Sequence, residues 1–176
     1  SGQSDAVCVV TLSGPSSETI TVKYATVDGS AKAGEDYVAS AGTLTFPPGV
    51  TANNAPVPIK GDVIYEADEV CYVILTEPTR ATLGTDLAEV TIRNDDPVPG
   101  LSIDDVSVLE GNAGTTSATF TVRLSGPSSQ TISVDYATLD GTANAGTDYA
   151  SASGTLFFAA GSTAQTITVR ISGDTL

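Results

Sequence analysis

The chain has 176 residues, 40% of them apolar, and its 21 acidic and seven basic side chains leave a formal charge of −14; His, Met and Trp are absent. That length suits one or two modest cores, and the apolar runs are too short to span a bilayer, which argues against membrane insertion in this segment. The acid excess repels phosphate backbones and so argues against nucleic acid as a partner, while the lack of His removes the commonest general base and the commonest nitrogen ligand for zinc or copper.

Strand signals run through the whole length, with β-branched residues in alternation and Gly, Pro, Ser or Asn between them about every ten residues. The first strand is predicted over 6–12. The second covers 19–27, where Ile20, Val22 and Tyr24 fall on one face and Thr21 and Lys23 on the other. Further strands are predicted over 42–46, 55–60, 70–76 and 86–93. Asp95-Asp96-Pro97-Val98-Pro99-Gly100 then reads as a linker stiffened by two prolines. Beyond it come strands at 101–109, 117–124, 130–139, 154–158 and 164–171, with Asp104, Asp105 and Asp135 facing solvent between inward Ile103, Val106 and Val134. No stretch holds a helical period. This spacing predicts an all-β fold, a sandwich of two antiparallel sheets.

The chain also repeats itself. Shifted by 112, residues 1–62 match residues 113–174 at 33 of 62 positions without a gap. Leu12-Ser13-Gly14-Pro15-Ser16-Ser17 returns as Leu124-Ser125-Gly126-Pro127-Ser128-Ser129, and Tyr24-Ala25-Thr26-Val27-Asp28-Gly29 returns as Tyr136-Ala137-Thr138-Leu139-Asp140-Gly141. Such a period is the size of a small domain rather than of a solenoid unit. The predicted organisation is a repeat over 1–96 lacking its first strand, a linker over 97–100, and a repeat over 101–176 lacking its last two strands. Neighbouring repeats of the same protein are the expected partners, with other copies joined by strand addition as an alternative.

Cys8 and Cys71 lie in apolar strand-like runs with no CxxC spacing. They are read as a disulfide between facing strands in preference to two buried free thiols. Such a bond would add about 4 kcal/mol in the chain-entropy model, and it points to an extracellular or cell-surface location.

Four ordered motifs resemble the Calx-beta domain family. They are 27–37 (Val27-Asp28-Gly29 through Asp36-Tyr37), 42–49 (Gly42-Thr43-Leu44 through Gly49), 61–69 (Gly61-Asp62 through Asp68-Glu69) and 92–96 (Ile92-Arg93-Asn94-Asp95-Asp96). The second copy repeats the first of these at 140–149 and adds Val108-Leu109-Glu110-Gly111-Asn112. The resemblance implies tandem immunoglobulin-like antiparallel β-sandwiches with Ca2+ held by acidic loops at one end. Carried over by position, the implied ligands are Asp28, Asp62, Glu66, Asp95 and Asp96, with Glu69 possible, in the first copy, and Glu110, Asp140 and Asp174 in the second. Calcium takes about 6 to 8 oxygens, so carboxylates from several loops must converge. Asp28-Gly29 and Asp140-Gly141 equally suit ordinary tight turns, and 62–69 could be a solvated acidic loop. Asp36 and Asp148 are read as turn residues beside the rings of Tyr37 and Tyr149.

The functional expectation is a non-enzymatic extracellular module, a stalk, adhesin or filament unit stiffened by calcium, with an ion beside Pro97 setting the angle between repeats. The alternative is a calcium sensor that regulates an attached protein. A glycan-binding module is disfavoured because six Tyr and no Trp supply few aromatic platforms. Catalysis is disfavoured because no base exists to activate a hydroxyl, and crowded carboxylates suit a cation better than a sugar.

Overall fold

A computed structural model of the chain describes Gly2 and residues 4–175. They form eleven β-strands and, among the described residues, no helix, so none is long and apolar enough to cross a membrane. The chain divides into two compact units, residues 1–62 with 67–94 and residues 63–66 with 95–176.

In the first unit, β1 (Ser4–Thr11) pairs antiparallel with β4 (Ala52–Ile59). The second sheet runs β3-β2-β5-β6, built from β2 (Ile20–Asp28), β3 (Ala41–Phe46), β5 (Glu69–Thr79) and β6 (Leu87–Ile92). Alternation decides which side chains enter between the sheets. Ile20 and Val22 of β2, Leu44 and Phe46 of β3, Ala55 and Val57 of β4, and Cys71 and Val73 of β5 are all buried in one cluster, while their neighbours in sequence face outward. Where β5 meets the start of β2 the register slips, so Glu77 and Pro78 together face Val22. This bulge gives Pro78, which has no amide hydrogen to contribute, a position outside the regular ladder.

In the second unit, β8 (Thr115–Leu124) lies between β11 (Ala164–Ser172) and the short β7 (Leu101–Ile103), and β9 (Ile132–Ala137) pairs with β10 (Ser153–Phe158). Its core gathers Val122, Leu124, Tyr149, Phe158, Ile167 and Val169. Residues 63–66 count with this unit because the Tyr65 amide donates to the Pro127 carbonyl (3.1 Å) and the Tyr65 carbonyl accepts from the Ser129 amide (3.0 Å).

Two expectations are corrected. The strand predicted over 101–109 ends at Ile103, because past it only the Asp104 amide still reaches Thr121 (3.2 Å) before the chain leaves the ladder. Ile103, expected inward, is 57% exposed. The predicted disulfide is absent: Cys8 and Cys71 are free thiols. Both pack in the first core, Cys71 wholly buried and Cys8 at its margin. Burial pushes both thiols up from their ordinary value, and for Cys71 the neighbouring Cys8 adds to it. They stay protonated and serve as small apolar groups.

Candidate metal centre

The site is built on the loop that follows β2. Asp28, at the end of that strand, accepts through Oδ1 from the Tyr37 hydroxyl (2.6 Å) and the Ala33 amide (2.9 Å). These donors hold its carboxyl below the usual range, the Tyr37 hydroxyl contributing most. Eight residues on, Asp36 accepts through Oδ2 from the Lys32 amide (2.7 Å), and its carbonyl accepts from the Lys60 amide (2.8 Å). Gly34 makes the turn between them at φ +94°, in the region that side chains avoid. Tyr37, 1% exposed, anchors the loop to the core. Both aspartates are therefore set rigidly by backbone and ring.

The second unit builds the same loop. Asp140 accepts from the Tyr149 hydroxyl (2.6 Å) and the Ala145 amide (2.8 Å), and Asp148 from the Asn144 amide (2.7 Å). The Asp140 carboxyl is held low for the same reason.

The start of β5 brings a further acidic side chain to this loop. Within the first unit, Asp36 and Glu69, both half-buried, each offer a carboxylate oxygen within 4.8 Å of the other. Glu69 opens β5 opposite Ile92, the last residue of β6, and Asp68 beside it accepts from the Asn94 amide (3.0 Å). The start of β5 thus lies alongside the residues that follow β6. Of the residues expected as ligands, Glu69 stands beside Asp36, and Asp28 and Asp62 of the same unit lie outside that group; Glu66, Asp95, Asp96, Glu110, Asp140 and Asp174 belong to the second unit. Asp36, a turn residue by its sequence, does make a turn through Oδ2. The sequence signal that it could do more is its place directly before a buried Tyr, where the anchored ring leaves the neighbouring carboxylate a defined position.

Two carboxylates are a hard-oxygen donor set without nitrogen or sulfur. They suit calcium or magnesium and fit poorly with softer metals.

The family of Calx-beta domains matches residues 1–96 and again 94–176. The chain belongs to the Calx-beta family. Among curated proteins, the sodium/calcium exchanger 2 of Mus musculus is 35% identical over 179 residues, covering 92% of this chain and 19% of the exchanger. The sodium/calcium exchanger Calx of Drosophila melanogaster is 32% identical over 138 residues, covering 78% of this chain and 14% of the exchanger. The chain thus spans a fifth or less of these relatives. Among solved structures, CBD12 from CALX1.2 superposes with a TM-score of 0.52 at 30% identity, covering 98% of this chain and 70% of that one. The calcium binding domain CBD12 of CALX1.1 gives 0.52 at 28% identity, covering 93% and 67%. Tandem Calx-beta sandwiches are thus the fold of this chain. The relatives are named for ion exchange, the setting of the sensor alternative, and lend nothing to the stalk, adhesin or filament reading. The free thiols also remove the observation on which an extracellular location rested.

Proposed function

We propose that this chain is a calcium-binding regulatory module whose first unit holds the ion with Asp36 and Glu69. The observation that carries this reading is the approach of their two carboxylates to within 4.8 Å in a chain that already bears a charge of −14. Like charges so close repel one another, so a divalent cation between them relieves a cost built into the fold. Supporting it, one related solved structure is named as a calcium binding domain. Asp62 of the same unit is the next ligand candidate, and Asp28 acts as the post that orients the loop through Tyr37. The second repeat ties Asp140 and Asp148 into the matching loop. Calcium occupancy would be passed to whatever larger protein carries the module, by binding and not by catalysis.

Calorimetry in millimolar calcium and then in chelator tests this. Binding at one hundred times Kd adds about 2.7 kcal/mol to the folded state, so the melting temperature rises clearly. Asp36→Asn and Glu69→Gln should each remove most of the rise, and superimposable melts in calcium and chelator would refute the reading.

A further inference from the structure

One strand edge is left uncovered at the same place in both units. In the first it is the outer edge of β4, which pairs only with β1, and in the second that of its counterpart at a shift of 112, β11, which pairs only with β8. This edge is a property of the fold, since β5 and β6, which follow β4, join the other sheet. The two units finish it differently. The Pro58 carbonyl accepts from the Val38 amide (2.8 Å), so it faces away from β1, and residues two apart on a strand face the same way. Pro58, Pro56 and Asn54 therefore line the edge of β4. Neither proline has an amide hydrogen, and the Asn54 amide already donates to Oδ1 of Asn53 (2.8 Å). An edge stripped of donors resists a further strand.

In β11 the Arg170 carbonyl accepts from the Ala150 amide (2.9 Å), so Thr168 and Thr166 face outward in the same sense. They stand where the first unit has Pro56 and Asn54, and among the described residues nothing accepts from their amides. The second unit keeps the donors that the first has lost.

Two features say what can add there. Thr166-Ile167-Thr168 reads the same in both directions. Two copies of β11 meeting antiparallel about a twofold axis through Ile167 would set Thr166 opposite Thr168 on each side, and each such pair exchanges two main-chain bonds. The threonine side chains would extend the cross-strand pairs that Thr166 and Thr168 already make with Thr121 and Thr119 of β8. The second feature is charge. In a chain with 21 acidic residues β8 and β11 hold none, and the one cation of β11, Arg170, would fall opposite Ala164. Chains of charge −14 repel one another, and an acid-free edge lets them approach.

We propose that β11 is a dimerisation edge that takes the β11 of a second copy as its antiparallel neighbour, with Ile167 on the axis, and that Asn53, Pro56 and Pro58 close the matching edge of the first unit to the same use. Main-chain bonds give the affinity, and the palindrome fixes the register.

Sedimentation of the full chain over a range of concentrations, with amide exchange read residue by residue, tests this. The mass should rise from one chain toward two, and exchange at Thr166 and Thr168 should slow about tenfold or more over the same range. Thr168→Pro copies the residue that the first unit carries at this place. By removing one main-chain bond from each side of the axis it should weaken dimerisation about tenfold or more and leave the melting of the dilute chain unchanged. Thr166→Lys combined with Thr168→Lys keeps every amide but sets like charges opposite one another, so dimerisation should weaken in low salt and recover in high salt. A mass of one chain at every concentration overturns the proposal. A dimer in which Thr166 and Thr168 exchange freely would put the contact elsewhere, and a mass that climbs past two chains would mean a contact that does not close; either overturns it too. Should Thr168→Pro fail to fold, the lysine variant decides, and undiminished dimerisation in low salt counts against the edge.

Discussion

At the scale of single residues, the pair formed by Asp28 and Tyr37 links the site to pH. The Asp28 carboxyl lies below its ordinary 3.8 because the Tyr37 hydroxyl and the Ala33 amide donate to it. A carboxyl depressed in the folded state binds its proton more weakly there than in the unfolded chain. Its contribution is therefore complete above the ordinary value and is lost as pH falls through the lower folded one. Tyr37 moves the other way: burial first, then the bond to Asp28, pushes it from 10.0 up to about 12. That contribution is complete below pH 10.0 and is lost as pH rises toward about 12. Melting temperature against pH should accordingly fall at both ends. Asp28→Asn should flatten the acid limb below about pH 4, and Tyr37→Phe should remove the alkaline decline. An acid limb identical in Asp28→Asn would show that other carboxyls set it.

At the scale of elements, the contrast between matching glycines measures how closely strands approach. Gly29→Ala should destabilise the first unit by about 1–3 kcal/mol, since a methyl cannot stand 2.4 Å from a backbone oxygen without moving β5. Gly141→Ala should leave thermal unfolding within about 0.5 kcal/mol of the parent. Equal effects of the two substitutions would mean that both loops are closed by strands. The cysteines make a second prediction at this scale. Thiol titration of the denatured chain without reductant should count two thiols, and in the native chain both should react slowly, as buried protonated thiols do.

For the whole molecule, the two units carry unequal cores. The first gathers eleven buried residues in its cluster and the second six, among those described. With less apolar surface removed from water, the second should melt first, giving two calorimetric transitions. Calcium should raise the transition of the first unit, which carries Asp36 and Glu69. A single transition shifted by calcium would mean that the units unfold together.

Strand positions were legible in the sequence because period-two alternation, as in Ile20, Val22 and Tyr24, is a local property that burial merely ratifies. The repeat was legible too, since identical loops such as 28–37 and 140–149 fold alike. Long-range placement was not. Cys8 and Cys71 share a core, yet nothing in their flanking residues says whether two sulfurs will bond or merely pack. Asp28 and Asp36 are both acids of one turn, and only the position of the Tyr37 ring decides that the first receives its hydroxyl while the second stands beside Glu69. Composition and periodicity determined the class of fold and the kind of ligand, because both depend on local side-chain chemistry. Which carboxylates meet depended on loops closing across the sheets, a property that arises only once the chain is packed.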